Sequence, residues 1–130
     1  MPLDDIVTRA EREHRTSISS IGMHIVADFW DCTYEESAAY LMPIVVAAAK
    51  AANADVLSSA VHEFPTDGGG TTALLLLAES HVSLHTWPEY NFIAIDVFTC
   101  GADMRPEDAI TYLEEQLSPS RTRIQAIPRG

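Results

Sequence analysis

The sequence has few cysteines, few basic residues and no long apolar run, and each shortage excludes a class of protein. Cys32 and Cys100 are too few and too far apart to build a disulfide framework. Eight basic against nineteen acidic residues give a net charge of −11, which repels nucleic acid and anionic membranes. Apolar runs such as Ala73–Ala78 are far shorter than the roughly 20 residues of a spanning helix, and Met1–Asp5 lacks the basic start of a signal peptide. We expect a cytoplasmic protein with free thiols that binds neither nucleic acid nor a membrane.

The composition predicts one globular domain preceded by a short extension. With 130 residues, 47% of them apolar, the chain can bury one sizeable core. No internal repeat, low-complexity tract or long linker divides it. Mixed charges between Asp4 and Arg15 surround few apolar residues, which predicts a short exposed helix or a frayed arm. We therefore expect an N-terminal extension at residues 1–20 and a domain at residues 21–130.

Apolar periodicity in the domain predicts strands and two helices. The Leu74–Leu77 run favours burial on both faces of its strand. A capping box at Thr33-x-x-Glu36 predicts the start of the first helix, and Pro43 is expected to bend or restart it. The order predicts an α+β fold, a two-layer sandwich of helices on a mainly antiparallel sheet. The predicted strands are Met23–Phe29, Asp55–Phe64, Thr71–Glu79, Asn91–Thr99 and Arg121–Ile127, and the second helix is Pro106–Leu117.

The stretch from Ala78 to Tyr90 concentrates reactive side chains between two apolar strands. Turns between buried strands rarely need such residues. Cys100 lies twenty residues after Ser80, at the end of the next strand, where antiparallel pairing can return its thiol to the serine. A cluster of serine, histidine and cysteine is therefore expected. The reactive residues of the stretch are Ser80, His81, His85, Trp87 and Glu89.

The two histidines also allow a metal-site interpretation. His81 and His85 are four residues apart and, with Cys100, offer the donor types that zinc prefers. Pro88 and the strand pattern argue against the helix that usually brings such a pair onto one face. We therefore favour a site without metal. Metal analysis of protein that was purified without added metal tests this interpretation.

Three segments resemble the short bacterial form of the S-adenosylmethionine decarboxylases: Glu79–His81, His85–Glu89 and Asp96–Gly101. The similarity extends over about residues 22–117 and includes His62 and Phe64 ahead of a glycine-rich turn. The N-terminal extension and the loop Pro65–Gly70 depart from the family pattern. The resemblance implies an α+β sandwich that acts as a dimer, with active sites near the subunit interface.

For the chemistry, the resemblance implies a pyruvoyl group that the chain makes from its own serine. Decarboxylation of an amino acid requires an electron sink of this kind. The hydroxyl of Ser80 attacks the carbonyl of Glu79, and the resulting ester eliminates Glu79 as a carboxylate. The dehydroalanine left behind then hydrolyses to the pyruvoyl group. This step divides the chain into residues 1–79, the β chain, and residues 80–130, the α chain.

The resemblance also implies the roles of other residues. His85 is the proton acceptor of processing, and Thr72 supplies a hydroxyl that polarises the cleaved carbonyl. The amine of S-adenosylmethionine forms a Schiff base with the pyruvoyl ketone, and Cys100 returns a proton after CO₂ leaves. The product is the aminopropyl donor for spermidine synthesis, and no metal or pyridoxal cofactor is implied. The residues implied to contact the substrate are Glu89, which binds ribose hydroxyls, Trp87 and Phe64.

Two further interpretations stay open. A related pyruvoyl decarboxylase would act on arginine or ornithine, because the chemistry needs only an α-amino acid, although Glu89 favours a substrate with a ribose. An inactive relative that never cleaves would serve as a regulatory subunit. For His81, a catalytic role and a role in orienting the cleavage turn both stay open. The residues assigned no catalytic role are Cys32, His14, His24 and His62.

Overall fold

The computed structural model describes residues 20–130, which form two helices on one six-stranded antiparallel sheet. The predicted α+β class is confirmed. The short helix or frayed arm expected between Asp4 and Arg15 lies outside the described residues. The strands are β1 (Gly22–Trp30), β2 (Val56–Glu63), β3 (Thr71–Leu77), β4 (Ser80–Trp87), β5 (Phe92–Cys100) and β6 (Arg121–Arg129), and the helices are α1 (Ala38–Ala51) and α2 (Pro106–Leu117).

The sheet has the strand order β2-β3-β4-β5-β1-β6, and every neighbouring pair is antiparallel. Strands β1 and β5 pair along their full length, from Gly22 opposite Cys100 to Trp30 opposite Phe92. Strands β3 and β4 form a tight hairpin. The sheet therefore places β4 and β5, which carry most of the reactive residues, at its centre.

Within residues 20–130 both helices pack on one face of the sheet, and their apolar side chains complete a single core. Alternate residues of each central strand point into this core because successive side chains of a strand face opposite ways. The strand residues buried there include Ile25, Ala27, Phe29, Leu75, Val82, Leu84, Ile93, Ile95 and Val97.

Helix α1 does not begin at the predicted capping box. Its N-cap is Ser37, whose Oγ accepts a hydrogen bond from the Tyr40 amide at 3.1 Å. The carboxylate of Glu36 instead accepts hydrogen bonds from the hydroxyls of Thr71 and Thr86, at 2.7 and 2.8 Å. Because Glu36 binds these hydroxyls of the sheet, its carboxylate does not serve the capping box that the local sequence predicts.

The restart that Pro43 offered as one of two expectations is also absent, because α1 is continuous through this residue. Leu41 and Val45, on either side of the proline, are both fully buried against the sheet. Packing on the core therefore holds the helix in one piece despite the amide hydrogen that proline lacks.

The reactive stretch forms strand β4, not the turn that the sequence predicts, so the sheet has six strands instead of five. One side of β4 points into the core and the other carries histidines and a serine. The alternation of Val82 and Leu84 with polar residues is the pattern of a half-buried strand, and the interpretation of these reactive side chains as a turn overlooked it.

The sheet face opposite the helices, here called the open face, carries apolar side chains. Leu74 and Leu76 are 45% and 55% exposed there, so the predicted burial of β3 on both faces is wrong for the described chain. Trp87 and Ile127 are also exposed. An apolar patch of this kind commonly marks an interaction surface.

We expect Leu75→Ala to lower the free energy of unfolding by about 2–5 kcal/mol, because Leu75 is fully buried. Leu76→Ala, on the next residue but on the open face, is the matched control and should cost far less. Urea unfolding of both variants measures this. Equal losses would contradict the assignment of the two faces.

Candidate functional site

Ser80 and Cys100 meet at the ends of β4 and β5, as the sequence predicts. The Cys100 amide donates a hydrogen bond to Ser80 Oγ at 3.1 Å. The Cys100 thiol donates a hydrogen bond to the carbonyl oxygen of Glu79 at 3.2 Å. One residue therefore contacts both the hydroxyl and the carbonyl that a cleavage between Glu79 and Ser80 would use.

The Glu79–Ser80 peptide bond lies in the tight turn between β3 and β4. Leu77 pairs with Ser80, so Ala78 and Glu79 make the entire turn. Glu79 has a φ of 55°, in the left-handed region. This conformation costs a residue other than glycine about 1–2 kcal/mol. The peptide bond is thus held in a strained turn beside a nucleophile and a hydrogen-bond donor, which fits a pyruvoyl group formed from Ser80.

His85 and Thr72 form a second pair, away from Ser80. They lie opposite each other on β4 and β3, with Thr72 Oγ1 and His85 Nδ1 3.1 Å apart. Five residues separate His85 from Ser80 along β4, which is about 16 Å at roughly 3.3 Å per residue. The Ser80 side chain also lies on the helix-covered face, whereas His85 lies on the open face. The expected cluster therefore forms for the serine and the cysteine, but not for His85 within one chain.

A cavity of about 300 Å³ lies at the His85 end of the sheet. Gly70 in its wall has no room for a side chain, because a Cβ there would lie 2.1 Å from the Thr86 carbonyl oxygen. Part of the loop Pro65–Gly70, which departs from the family pattern, thus lines this cavity. The cavity also gathers the side chains that the resemblance assigns to the substrate together with the second pair: Phe64, Trp87, Glu89, Thr72 and His85.

An aromatic row crosses the open face beside this cavity, and sequence reasoning missed two of its members. Trp87 stacks on Phe92 with ring centroids 5.6 Å apart, and Phe92 contacts Trp30 at 5.5 Å. The Arg121 guanidinium lies 4.0 Å from the centre of the Trp30 ring. The period of two in β1 and β5 was the signal that places Trp30 and Phe92 on the same face. The row offers flat apolar surfaces to an aromatic or cationic group.

His81 follows Ser80 but points to the open face, where it contacts Asp96. Asp96 accepts hydrogen bonds from His24 at 2.7 Å, from His81 at 3.1 Å and from the Ser83 hydroxyl. Partial burial by itself raises the pKa of Asp96, but these hydrogen bonds together lower it below its usual value. His81 and His85 turn to different partners, so the metal site of His81, His85 and Cys100 does not assemble.

Cys32 lies outside these groups and is held as a neutral thiol. Burial raises its pKa to about 11, and the negative charge of Asp31 adds to the shift. A thiol is a weak nucleophile compared with its thiolate. Cys32 is therefore poorly suited to act as a nucleophile at neutral pH.

Comparison with known proteins identifies similar chains over the described domain. The family described as S-adenosylmethionine decarboxylase matches residues 23–130. The S-adenosylmethionine decarboxylase proenzyme 2 of Bacillus cereus is 41% identical over 114 residues, which cover 86% of this chain and 91% of the relative. The proenzyme of Methanococcus maripaludis is 36% identical over 115 residues, which cover 87% of this chain and 93% of the relative.

A solved structure has the same fold. The crystal structure of the adenosylmethionine decarboxylase from Aquifex aeolicus superposes with a TM-score of 0.77 at 32% sequence identity, covering 87% of this chain and 93% of that one. No helix among the described residues is long and apolar enough to cross a membrane.

We expect Cys32 to react slowly with iodoacetamide at pH 8, since about one thiol in a thousand is ionised three pH units below a pKa of about 11. The rate should rise about tenfold per pH unit up to that pKa. Asp31→Asn should raise the rate of Cys32 alkylation less than unfolding in urea does, because burial is the larger cause of the raised pKa. Peptide mass spectrometry measures the rate of alkylation at Cys32. Equal rates in the folded and unfolded chains would contradict the raised pKa.

Proposed function

Because the chain belongs to the S-adenosylmethionine decarboxylase family of carboxy-lyases, we propose that it is made as a proenzyme, cuts itself between Glu79 and Ser80, and decarboxylates S-adenosylmethionine. The contact of Cys100 with both sides of that bond carries the proposal. The pyruvoyl group formed at Ser80 supplies the electron sink that decarboxylation requires. The product serves as the aminopropyl donor for spermidine synthesis in the cytoplasm.

In the processing step, the Ser80 hydroxyl attacks the Glu79 carbonyl carbon and an ester replaces the peptide bond. Negative charge develops on the Glu79 carbonyl oxygen, where the Cys100 thiol already donates a hydrogen bond. The Cys100 amide holds Ser80 Oγ and orients its lone pairs. The ester then loses the α-proton of Ser80, Glu79 leaves as a carboxylate, and hydrolysis of the remaining dehydroalanine gives the ketone.

In turnover, Cys100 returns a proton to the α-carbon after CO₂ leaves. In the uncleaved chain this thiol donates to the Glu79 carbonyl. Cleavage frees residue 79 from Ser80, so the thiol becomes available beside the new ketone. A thiol carries the exchangeable proton that this step needs.

The substrate binds in the 300 Å³ cavity. The Glu89 carboxylate accepts hydrogen bonds from the ribose hydroxyls, and Phe64 and Trp87 offer aromatic faces to the adenine and the sulfonium. Arginine and ornithine have neither a ribose nor a nucleobase, so they leave these groups without a partner. This lining favours S-adenosylmethionine over both.

The site is completed in a dimer of cleaved α/β pairs, with Thr72 and His85 acting on the Ser80 of a second copy of the chain. The two halves of the site lie about 16 Å apart along β4, and the apolar open face needs a partner to cover it. A two-fold axis between two open faces, perpendicular to the strands, brings the Ser80 end of one β4 to the His85 end of the other. His85 then reaches the Glu79–Ser80 turn of the partner chain from the open face, the side on which the Cys100 thiol contacts the Glu79 carbonyl, and accepts the protons of processing there.

We expect Ser80→Ala to remain a single chain of 14.2 kDa, because it lacks the attacking hydroxyl. The unaltered chain should separate into residues 1–79 and 80–130, the second without a free amine. Ser59→Ala, an exposed serine of β2, is the control and should cleave normally. Denaturing intact mass with amine labelling measures this. Cleavage of Ser80→Ala, or a persistently whole unaltered chain, would contradict the proposal.

Mixing two inactive variants tests the shared site. Neither His85→Ala nor Ser80→Ala should cleave well alone. When the two are co-expressed, the Ser80→Ala chain supplies Thr72 and His85 to the intact serine of the other, so the His85→Ala chain should be cut. Mass spectrometry identifies the cleaved chain, and a mixture no more cleaved than His85→Ala alone would refute the shared site.

A further inference from the structure

Three side chains that the proposed reaction does not use converge on the open face from β1, β4 and β5. His24 and His81 flank Phe98 in one row across the sheet, and Asp96 lies in the next row. Both imidazoles direct Nε2 to the same carboxylate oxygen of Asp96, at 2.7 and 3.1 Å. The three potential ligand atoms all lie within 4.8 Å of one another. The strands therefore hold two imidazoles and a carboxylate close together.

The chemistry of these donors selects one class of ligand. Imidazole nitrogen with carboxylate oxygen suits zinc and the neighbouring divalent ions of the first transition row. Magnesium and calcium require shells made largely of oxygen. We propose that His24, His81 and Asp96 bind one divalent transition ion such as Zn²⁺. The side chains are part-buried in the single chain, and the proposed dimer covers the face that carries them, so any further ligand of the ion comes from water or from the facing copy.

The residues around the Asp96 carboxylate orient it for binding an ion. The Ser83 hydroxyl donates a hydrogen bond to Asp96 Oδ1 and so leaves Oδ2 directed at the two histidines. Hydrogen bonds of this kind orient ligands in known metal sites. Because all four residues lie on paired strands, little backbone rearrangement is needed for binding.

Arg129 competes with the ion. Its Nη1 lies 3.2 Å from His24 Nδ1, and a guanidinium can only donate, so Nδ1 accepts and the ring proton is on Nε2. A metal ligand needs a free lone pair at Nε2. Binding therefore requires the proton to move to Nδ1 and the exposed Arg129 side chain to turn away. The positive charge of Arg129 also repels the cation.

Calorimetry on the full chain, stripped of metal with EDTA and then freed of EDTA, tests the site. ZnCl₂ should bind with one ion per chain, whereas MgCl₂ should give no binding. His24→Gln and Asp96→Asn should each lower the zinc affinity by at least about tenfold, the loss that even indirect supporting residues cause. His62→Gln removes a histidine from outside the cluster and should leave the affinity unchanged.

Arg129→Gln separates this site from a general affinity of histidines for zinc. Removing the competing donor and its charge should strengthen binding severalfold. Ser80→Ala should bind zinc as the unaltered chain does, so the outcome does not depend on self-cleavage. Absence of zinc binding, unchanged affinity in both His24→Gln and Asp96→Asn, or weaker binding in Arg129→Gln would each overturn the proposal.

Discussion

The antiparallel register between β4 and β5 is the constraint on which the site depends. It pairs His81 with Phe98, so Ser80 at the start of one strand meets Cys100 at the end of the other. Side chains alternate along a strand, and a shift of one residue would send the Cys100 thiol to the opposite face of the sheet. The same register places Asp96 opposite Ser83, beside the histidines of the open face. Both the candidate cleavage site and the proposed ion site follow from this one pairing.

Elements with strong local signals were predictable from the sequence. Helix α2 begins at Pro106, where a proline needs no amide hydrogen, and ends at the predicted residue. Strand β4 was missed although Val82 and Leu84 alternate with polar residues as in a half-buried strand, because its serine and histidines favoured a functional turn. The start of α1 was missed because Glu36 is held by hydroxyls from β3 and β4. The exposure of Leu74 could not be inferred, since burial of an apolar run depends on what covers the sheet.

The site was predictable where spacing and pairing determine it. The meeting of Ser80 and Cys100 followed from one antiparallel return of the chain. The separation of His85 from Ser80 did not, because a spacing of five places two side chains far apart and on opposite faces only where the segment is a strand, and this stretch was interpreted as a turn. The contact of His24 with Asp96 joins residues 72 positions apart, and no local pattern connects them. The structure divides the reactive residues into two groups. The proposed dimer would reunite these groups as well as cover the apolar open face.

The most direct test of the account is a titration of decarboxylation with a carbonyl reagent. Cleaved protein is treated with increasing phenylhydrazine, and release of labelled CO₂ from carboxyl-labelled S-adenosylmethionine is then measured. The account predicts that activity falls in proportion to the reagent bound and disappears at one reagent per fragment of residues 80–130, with the added mass on that fragment. Absence of CO₂ release from untreated cleaved protein, or activity that survives full labelling, would contradict a ketone made from Ser80 as the centre of the reaction.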